Sequence, residues 1–173
     1  MYIIAKYIIG MDGDPQDPPP RAPDRSGPPL TGLVWRLSMR WQAAINRAVG
    51  PCGITHAQYS VLVPLRNLQA QGHAPSQREL ADDTGLEPLY ISKLVRGLEA
   101  AGLVTRTPNP FDSRSVQLAL TAEGRAVTAA AVDRVVALQP ALTAPLGGPG
   151  SRAIADLTAA LHTLLDASRR TQE

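Results

Sequence analysis

Val34, Leu37, Trp41, Ile45 and Ala48 return at helical spacing and predict an amphipathic helix that starts near Thr31. At about 100° per residue, Arg36, Arg40 and Arg47 gather on the opposite face as a basic stripe. Gly50-Pro51-Cys52-Gly53 ends it. A second helix is predicted from an N-cap at Thr55 to Gln71, with Tyr59, Leu62, Leu65 and Leu68 on its buried side. After the turn Gly72–Pro75, Ser76-Gln77-Arg78-Glu79 has the S-x-x-E pattern of a capping box, and the short helix it opens carries Leu80 and Ala81 before stopping at Thr84-Gly85. Pro88 suits the first turn of the next helix. That helix sorts Ile91, Leu94, Val95 and Leu98 to one face and Leu89, Ser92, Lys93 and Arg96 to the other, with Gly102 at its end.

The period then changes to two. Leu103–Arg106 and Val116–Leu120 read as strands, the second with Val116, Leu118 and Leu120 inward. Thr107–Ser115 between them is rich in turn formers and reads as a hairpin tip. Thr121 is placed to cap a further helix over 122–138 that Pro140 should end. Residues 140–150 read as a connector, and Ser151 caps a last helix to about 169. Ile154, Leu157, Leu161 and Leu164 form a narrow apolar seam on it, of the kind that pairs helices.

The predicted fold is mainly α with a small β-hairpin wing: a winged helix-turn-helix plus a helical dimerisation domain. Such a unit lays its second helix in the DNA major groove. Lys93 and Arg96 can reach guanine or phosphate, Ser92 can bond either, Leu89 can touch a thymine methyl, and Tyr90 lies at the edge of that face. At the hairpin tip, Arg114 suits a narrow minor groove, and Asp112 is read as its brace.

The composition limits the alternatives. Residues 11–30 contain seven Pro among Asp, Gly and Arg, so 1–30 is read as a disordered or partner-docking arm, with Met11 as a candidate start. Aromatic residues are 4% of the chain, so the core must be aliphatic. The net charge of +2 is too small to identify a polyanion partner by itself. All but Lys6 and Lys93 of the 17 basic residues are Arg. A single cysteine, Cys52, excludes an internal disulfide framework and suits a reducing compartment. No apolar run has the length of a membrane helix, and the expected location is cytoplasmic. His56, His73 and His162 lie far apart, and no phosphate loop, H-E-x-x-H motif or paired helical carboxylates appear. The expectation is a protein without catalysis, cofactor or metal.

Several stretches in order resemble the MarR family of bacterial transcription regulators. They are Ile54-Thr55-x-x-Gln58-Tyr59-x-Val61-Leu62, Gln77-x-Glu79-Leu80-Ala81, Gly85-Leu86-Glu87, Ile91-Ser92-Lys93-Leu94-Val95, Leu98-Glu99-x-x-Gly102-Leu103-Val104-x-Arg106, and Asp112-Ser113-Arg114-x-Val116 running to Leu120-Thr121-x-x-Gly124. The resemblance implies double-stranded DNA as partner, a homodimer on a palindromic operator, and release of DNA by a small aromatic or anionic effector. It implies dimerisation segments at 31–53 and 125–173 around a DNA-binding domain at 54–124. It also puts Trp35, Arg36, Met39, Arg40, His56 and Tyr59 on helices that line or border an effector pocket. Ser113 departs from the family's wing, which often has Arg there, and Gly97 interrupts the recognition helix. Two alternatives stay open: a thiol-based redox sensor using Cys52, and a winged-helix module that binds a protein through the Pro-rich arm.

Overall fold

The computed structural model describes residues 29–109 and 112–170, and for 112–114, 169 and 170 the backbone alone. The chain divides into two compact units, Met1–Trp35 and Arg36–Glu173. The described part of the first is the start of helix α1 (Leu30–Val49), where the Gly32 and Leu33 N–H groups donate to the Pro29 carbonyl at 2.8 and 3.2 Å.

The second unit carries the rest of α1 and then α2 (His56–Ala70), α3 (Gln77–Thr84), α4 (Pro88–Ala100), the strands β1 (Val104–Asn109) and β2 (Asp112–Leu120), α5 (Ala122–Thr143) and α6 (Arg152–Arg170). The strands form a two-stranded antiparallel sheet in which Val104 opposes Leu120 and Arg106 opposes Leu118. This is the mainly helical winged helix-turn-helix that the sequence predicts.

Its core is aliphatic. Leu62 and Leu65 of α2, Leu80 of α3, Ile91, Val95 and Leu98 of α4, and Leu118 of β2 are fully buried against one another. Burying a side chain of this size contributes about 1.5–3 kcal/mol. These residues therefore fix which face of α4 points outward.

The helix starts follow the capping chemistry. The Glu79 N–H donates to Ser76 Oγ at 3.2 Å, and Glu79 Oε2 accepts from the Ser76 N–H at 2.7 Å. Thr55 and Gln58 make the same reciprocal pair at the start of α2. Gly85, at φ 67, takes the left-handed conformation that ends α3 and turns the chain into α4.

The Glu79 carboxyl lies below the usual glutamate range, chiefly through the Ser76 N–H, then the Ser76 hydroxyl and the field of His73, whose Nε2 is 3.2 Å away. A lowered folded pKa gives stability that is present above the ordinary glutamate value and lost as pH falls through the folded one. The urea midpoint of Glu79→Ala should therefore lie below wild type near neutrality, and the gap should narrow as the pH falls below the ordinary glutamate range. A gap of constant size would contradict this assignment. Ser76→Ala should destabilise by about 0.5–2 kcal/mol.

The wing is anchored at its root. The Leu118 N–H donates to the Pro75 carbonyl at 2.8 Å, and the Leu120 N–H to Gln69 Oε1 at 3.0 Å. The Thr121 hydroxyl donates to the Gly102 carbonyl at 2.7 Å and accepts from the Gly124 N–H at 2.9 Å, so one side chain caps α5 and ties it to the turn before β1.

Two expectations are corrected. Pro140 does not end α5, which continues to Thr143. Pro140 removes the donor for the Val136 carbonyl, but both residues are exposed, so water can supply that bond. The predicted tip 107–115 is also largely strand. Thr107 pairs with Gln117 and Pro108 with Val116, before a bulge shifts the register between Pro108 and Asn109. The ladder outruns the apolar alternation because a two-stranded ribbon has free edges that tolerate Pro. Pro110 and Phe111 lie outside the described residues, as do residues 1–28 of the predicted arm.

Candidate nucleic-acid interface and adjoining cavity

The outward face of α4 is the complement of its buried one. Leu89 is 81% exposed, Lys93 and Arg96 are exposed, and Ser92 is half-buried, while Ile91, Val95 and Leu98 one step round the helix have no exposure. Within an α-helix such neighbours are separated by about 100°. Anchoring three positions in the core thus presents the two cations outward together.

Beside this face, a cleft of about 770 Å³ is lined by Gln77 and Arg78 of α3, Pro88 of α4, and Ser115 and Val116 of β2. Sequence reasoning missed Arg78, which is exposed at the start of α3. The signal was its place one residue inside the capping box, on the side away from buried Leu80. Arg106 of β1 is held differently, at 3.3 Å from Glu99 of α4, and braces the wing against that helix. Asp112 and Arg114 belong to β2, but their side chains lie outside the described residues.

A second cavity, of about 790 Å³, adjoins the helix-turn-helix. From α1 it is lined by Met39, Gln42, Ala43 and Asn46. From α2 and its cap come His56, Tyr59, Ser60 and Pro64, and from the α3–α4 region Thr84, Leu86 and Tyr90. Asn46 Oδ1 accepts the His56 N–H at 2.9 Å and so joins α1 to the start of α2. Burial holds the His56 imidazole below its ordinary pKa. The Tyr59 phenol is pushed up by burial, against the opposing charge of Arg66.

Of the pocket residues implied by the resemblance, Met39, His56 and Tyr59 are brought together on this wall. Arg36 and Arg40 are exposed and do not line it. Trp35 belongs to the first unit and is 64% exposed. Tyr90, read from sequence as an edge residue of the DNA face, lines this cavity. Gln42, Ala43 and Asn46 escaped sequence reasoning because they lie off the apolar stripe of α1 and none of them is charged.

Cys52 is half-buried and packs against the core as a free thiol. Among the described residues, no group of three or more His, Cys, Asp or Glu is placed to hold a metal ion, and no helix is long and apolar enough to cross a membrane.

The model of the MarR family matches residues 54–116. The HTH-type transcriptional repressor Rv2887 of Mycobacterium tuberculosis (strain ATCC 25618 / H37Rv) is 32% identical over 124 residues, which cover 72% of this chain and 86% of that protein. The chain belongs to the MarR family. This MarR-family match starts in the loop before α2 and runs into β2, so it contains α2, α3, α4 and β1 whole.

Solved structures extend the MarR likeness beyond that stretch. A MarR-family transcriptional regulator from Rhodococcus sp. RHA1 is 31% identical with a TM-score of 0.64, covering 79% of this chain and 89% of that one. The transcriptional repressor CouR, bound to a 23-mer DNA duplex, is 31% identical with a TM-score of 0.64, covering 80% of this chain and 90% of that one. The MarR family is one of transcriptional regulators, and this chain has its winged helix-turn-helix.

Proposed function

We propose that this protein is a ligand-responsive repressor that binds a palindromic operator as a homodimer. The observation that carries the reading is α4, with Leu89, Lys93 and Arg96 free on one face while the other is locked in the core. Lys93 and Arg96 contact base edges or phosphates in the major groove, with Ser92 and Leu89 beside them. Arg78 adds a phosphate contact from the flanking cleft. The wing contributes Arg114, oriented by Asp112, to the minor groove. The relatives with repressor names, and CouR with its bound duplex, support this reading.

In this reading 54–124 is the DNA-binding unit, 31–53 and 125–173 supply the dimer contacts, and 1–30 is an arm. Exposed apolar surface supports the dimer. On α6, Leu157, Leu161, Leu164 and Leu165 are 36–61% exposed, and on α1 Leu37 and Met39 are 44% and 42% exposed. A helix in a protein draws most of its stability from packing its apolar face, and these leucines have a neighbour to pack against only if a partner covers them. Leu157→Asp combined with Leu161→Asp should shift the chain from dimer to monomer in sedimentation at micromolar concentration, because each buries an unpaired charge. A double variant that remained dimeric would contradict this use of α6.

Effector response follows from the cavity of about 790 Å³, which touches α1, α2 and, through Tyr90, the first turn of α4. A molecule seated there acts directly on the helix that reads DNA. The test is footprinting on the DNA upstream of the gene. The reading expects protection of two half-sites separated by about one helical turn or a multiple of it. Protection of a single unrepeated site, or none, would refute it.

A further inference from the structure

We infer that the cavity at the root of the wing binds a small phosphate dianion, either inorganic phosphate or a phosphomonoester. The cavity has a volume of about 270 Å³ and is lined by Arg66, Gln69 and Ala70 at the end of α2, Leu120 at the end of β2, and Arg125 in the first turns of α5. A water molecule takes about 30 Å³ of liquid, so the space holds a phosphate group with a few waters and is small for a drug-sized molecule.

The wall consists of donors. Leu120 is held from both sides: its N–H donates to Gln69 Oε1 at 3.0 Å, and its carbonyl accepts from Arg125 Nη1 at 2.8 Å. These bonds orient the Gln69 amide and the Arg125 guanidinium, and they leave Gln69 Nε2 and the other Arg125 N–H groups free to donate. The side chain of Arg66 is half-buried and makes no ion pair or hydrogen bond among the described residues. Acceptors at the end of α2 are already taken. The Leu68 carbonyl accepts from the Gln71 and His73 N–H groups at 3.1 and 3.2 Å, and the Gln69 carbonyl from the Gly72 N–H at 3.0 Å.

No acid balances the two arginines. None of the five lining residues is Asp or Glu. Helix α2 contains no acidic residue, and Glu123, the nearest acid along α5, does not line the cavity. Two guanidinium groups on one small space add their fields there and repel each other, and an anion between them relieves both. Donors from three side chains match the several oxygens of a phosphate, and two cations match its two charges. Bound there, it ties α2 to α5 across the end of β2.

The phosphate is a free one and not that of the DNA backbone. Leu120 pairs with Val104 at the root of the ribbon, about 13 Å along the strand from the Pro108–Val116 pair near the tip. The cavity therefore lies away from the end of the wing that the proposed function places in the minor groove.

The test is an NMR titration of the isotope-labelled full chain near pH 7.5 with sodium phosphate and, separately, glycerol 3-phosphate, with sodium chloride adjusted to hold the ionic strength constant. The Leu120 amide and the Gln69 side-chain amide should shift and saturate. Arg66→Gln, which removes no bond of the fold, should weaken binding about tenfold or more. Arg47→Gln, which removes an exposed cation of α1, should leave it unchanged. The absence of shifts, shifts that do not saturate, or binding that survives Arg66→Gln overturns the inference. Affinity for the upstream DNA in phosphate-free buffer distinguishes the two sources of phosphate. It should be the same for Arg66→Gln and wild type, and a loss in the variant would assign Arg66 to the DNA backbone and overturn the inference as well.

Discussion

Replacing Lys93 or Arg96 by alanine is expected to weaken operator binding by about fivefold to 150-fold each, as follows from the about 1–3 kcal/mol that a bidentate base contact supplies. Both side chains are exposed on α4, so neither change should alter the fold. The two modes of contact leave different signatures. Loss of a base contact relaxes specificity at one position of the site. Loss of a phosphate contact weakens all sequences evenly and lowers the salt slope by about one. Fluorescence anisotropy across a salt series distinguishes them. Full operator affinity in both variants would remove α4 from the major groove.

Gly124→Ala is expected to have the largest effect on stability. A Cβ at this position would overlap the Leu103 carbonyl oxygen and stand 2.9 Å from the carbonyl carbon. That carbonyl also accepts the Thr121 N–H at 3.1 Å, so the first turn of α5 cannot retreat without breaking the anchor of the wing. Overpacking of this kind destabilises by about 1–3 kcal/mol, or roughly 2–12 °C in Tm for a chain of this size. Gly97 provides the internal contrast. It lies in α4 with nothing within 4 Å of its Cβ position, so Gly97→Ala should stabilise by about 0.5–1 kcal/mol. Thermal melts of the two variants should move in opposite directions. A Gly124→Ala protein that melted with wild type would show that the contact of α5 with Leu103 yields without penalty.

The elements most legible from sequence are those whose local chemistry and tertiary fate agree. The capping box at Ser76, the left-handed Gly85 and the alternation of Leu118 with Leu120 all appear where the pattern puts them. So does the division of α4 between Ile91, Val95 and Leu98 on one side and Lys93 and Arg96 on the other. The failures have a common cause. Whether Pro140 ends a helix depends on whether solvent reaches the Val136 carbonyl, and whether Thr107 and Pro108 pair depends on the register of the opposite strand. Neither is a local property.

The cavity was half legible. Met39, His56 and Tyr59 were accessible through the family resemblance, whereas Asn46, Ser60 and Pro64 became relevant only once α1 and α2 were seen side by side. Helix α1 shows why. Leu37 on its strongest apolar stripe is left exposed, and the face carrying Gln42 and Asn46 lines the cavity instead. A hydrophobic pattern alone does not say whether an apolar stripe is covered by the same chain or by another.

The central claim is sequence-specific DNA recognition through α4, and a competition titration tests it most directly. The wild-type chain, bound to a labelled duplex from the region upstream of its gene, is displaced at fixed near-physiological salt by the unlabelled duplex and by a scrambled duplex of the same length and composition. The account predicts that the scrambled duplex competes about a thousandfold or more weakly, and that the ratio falls for Arg96→Ala. Equal competition by the two duplexes would contradict it.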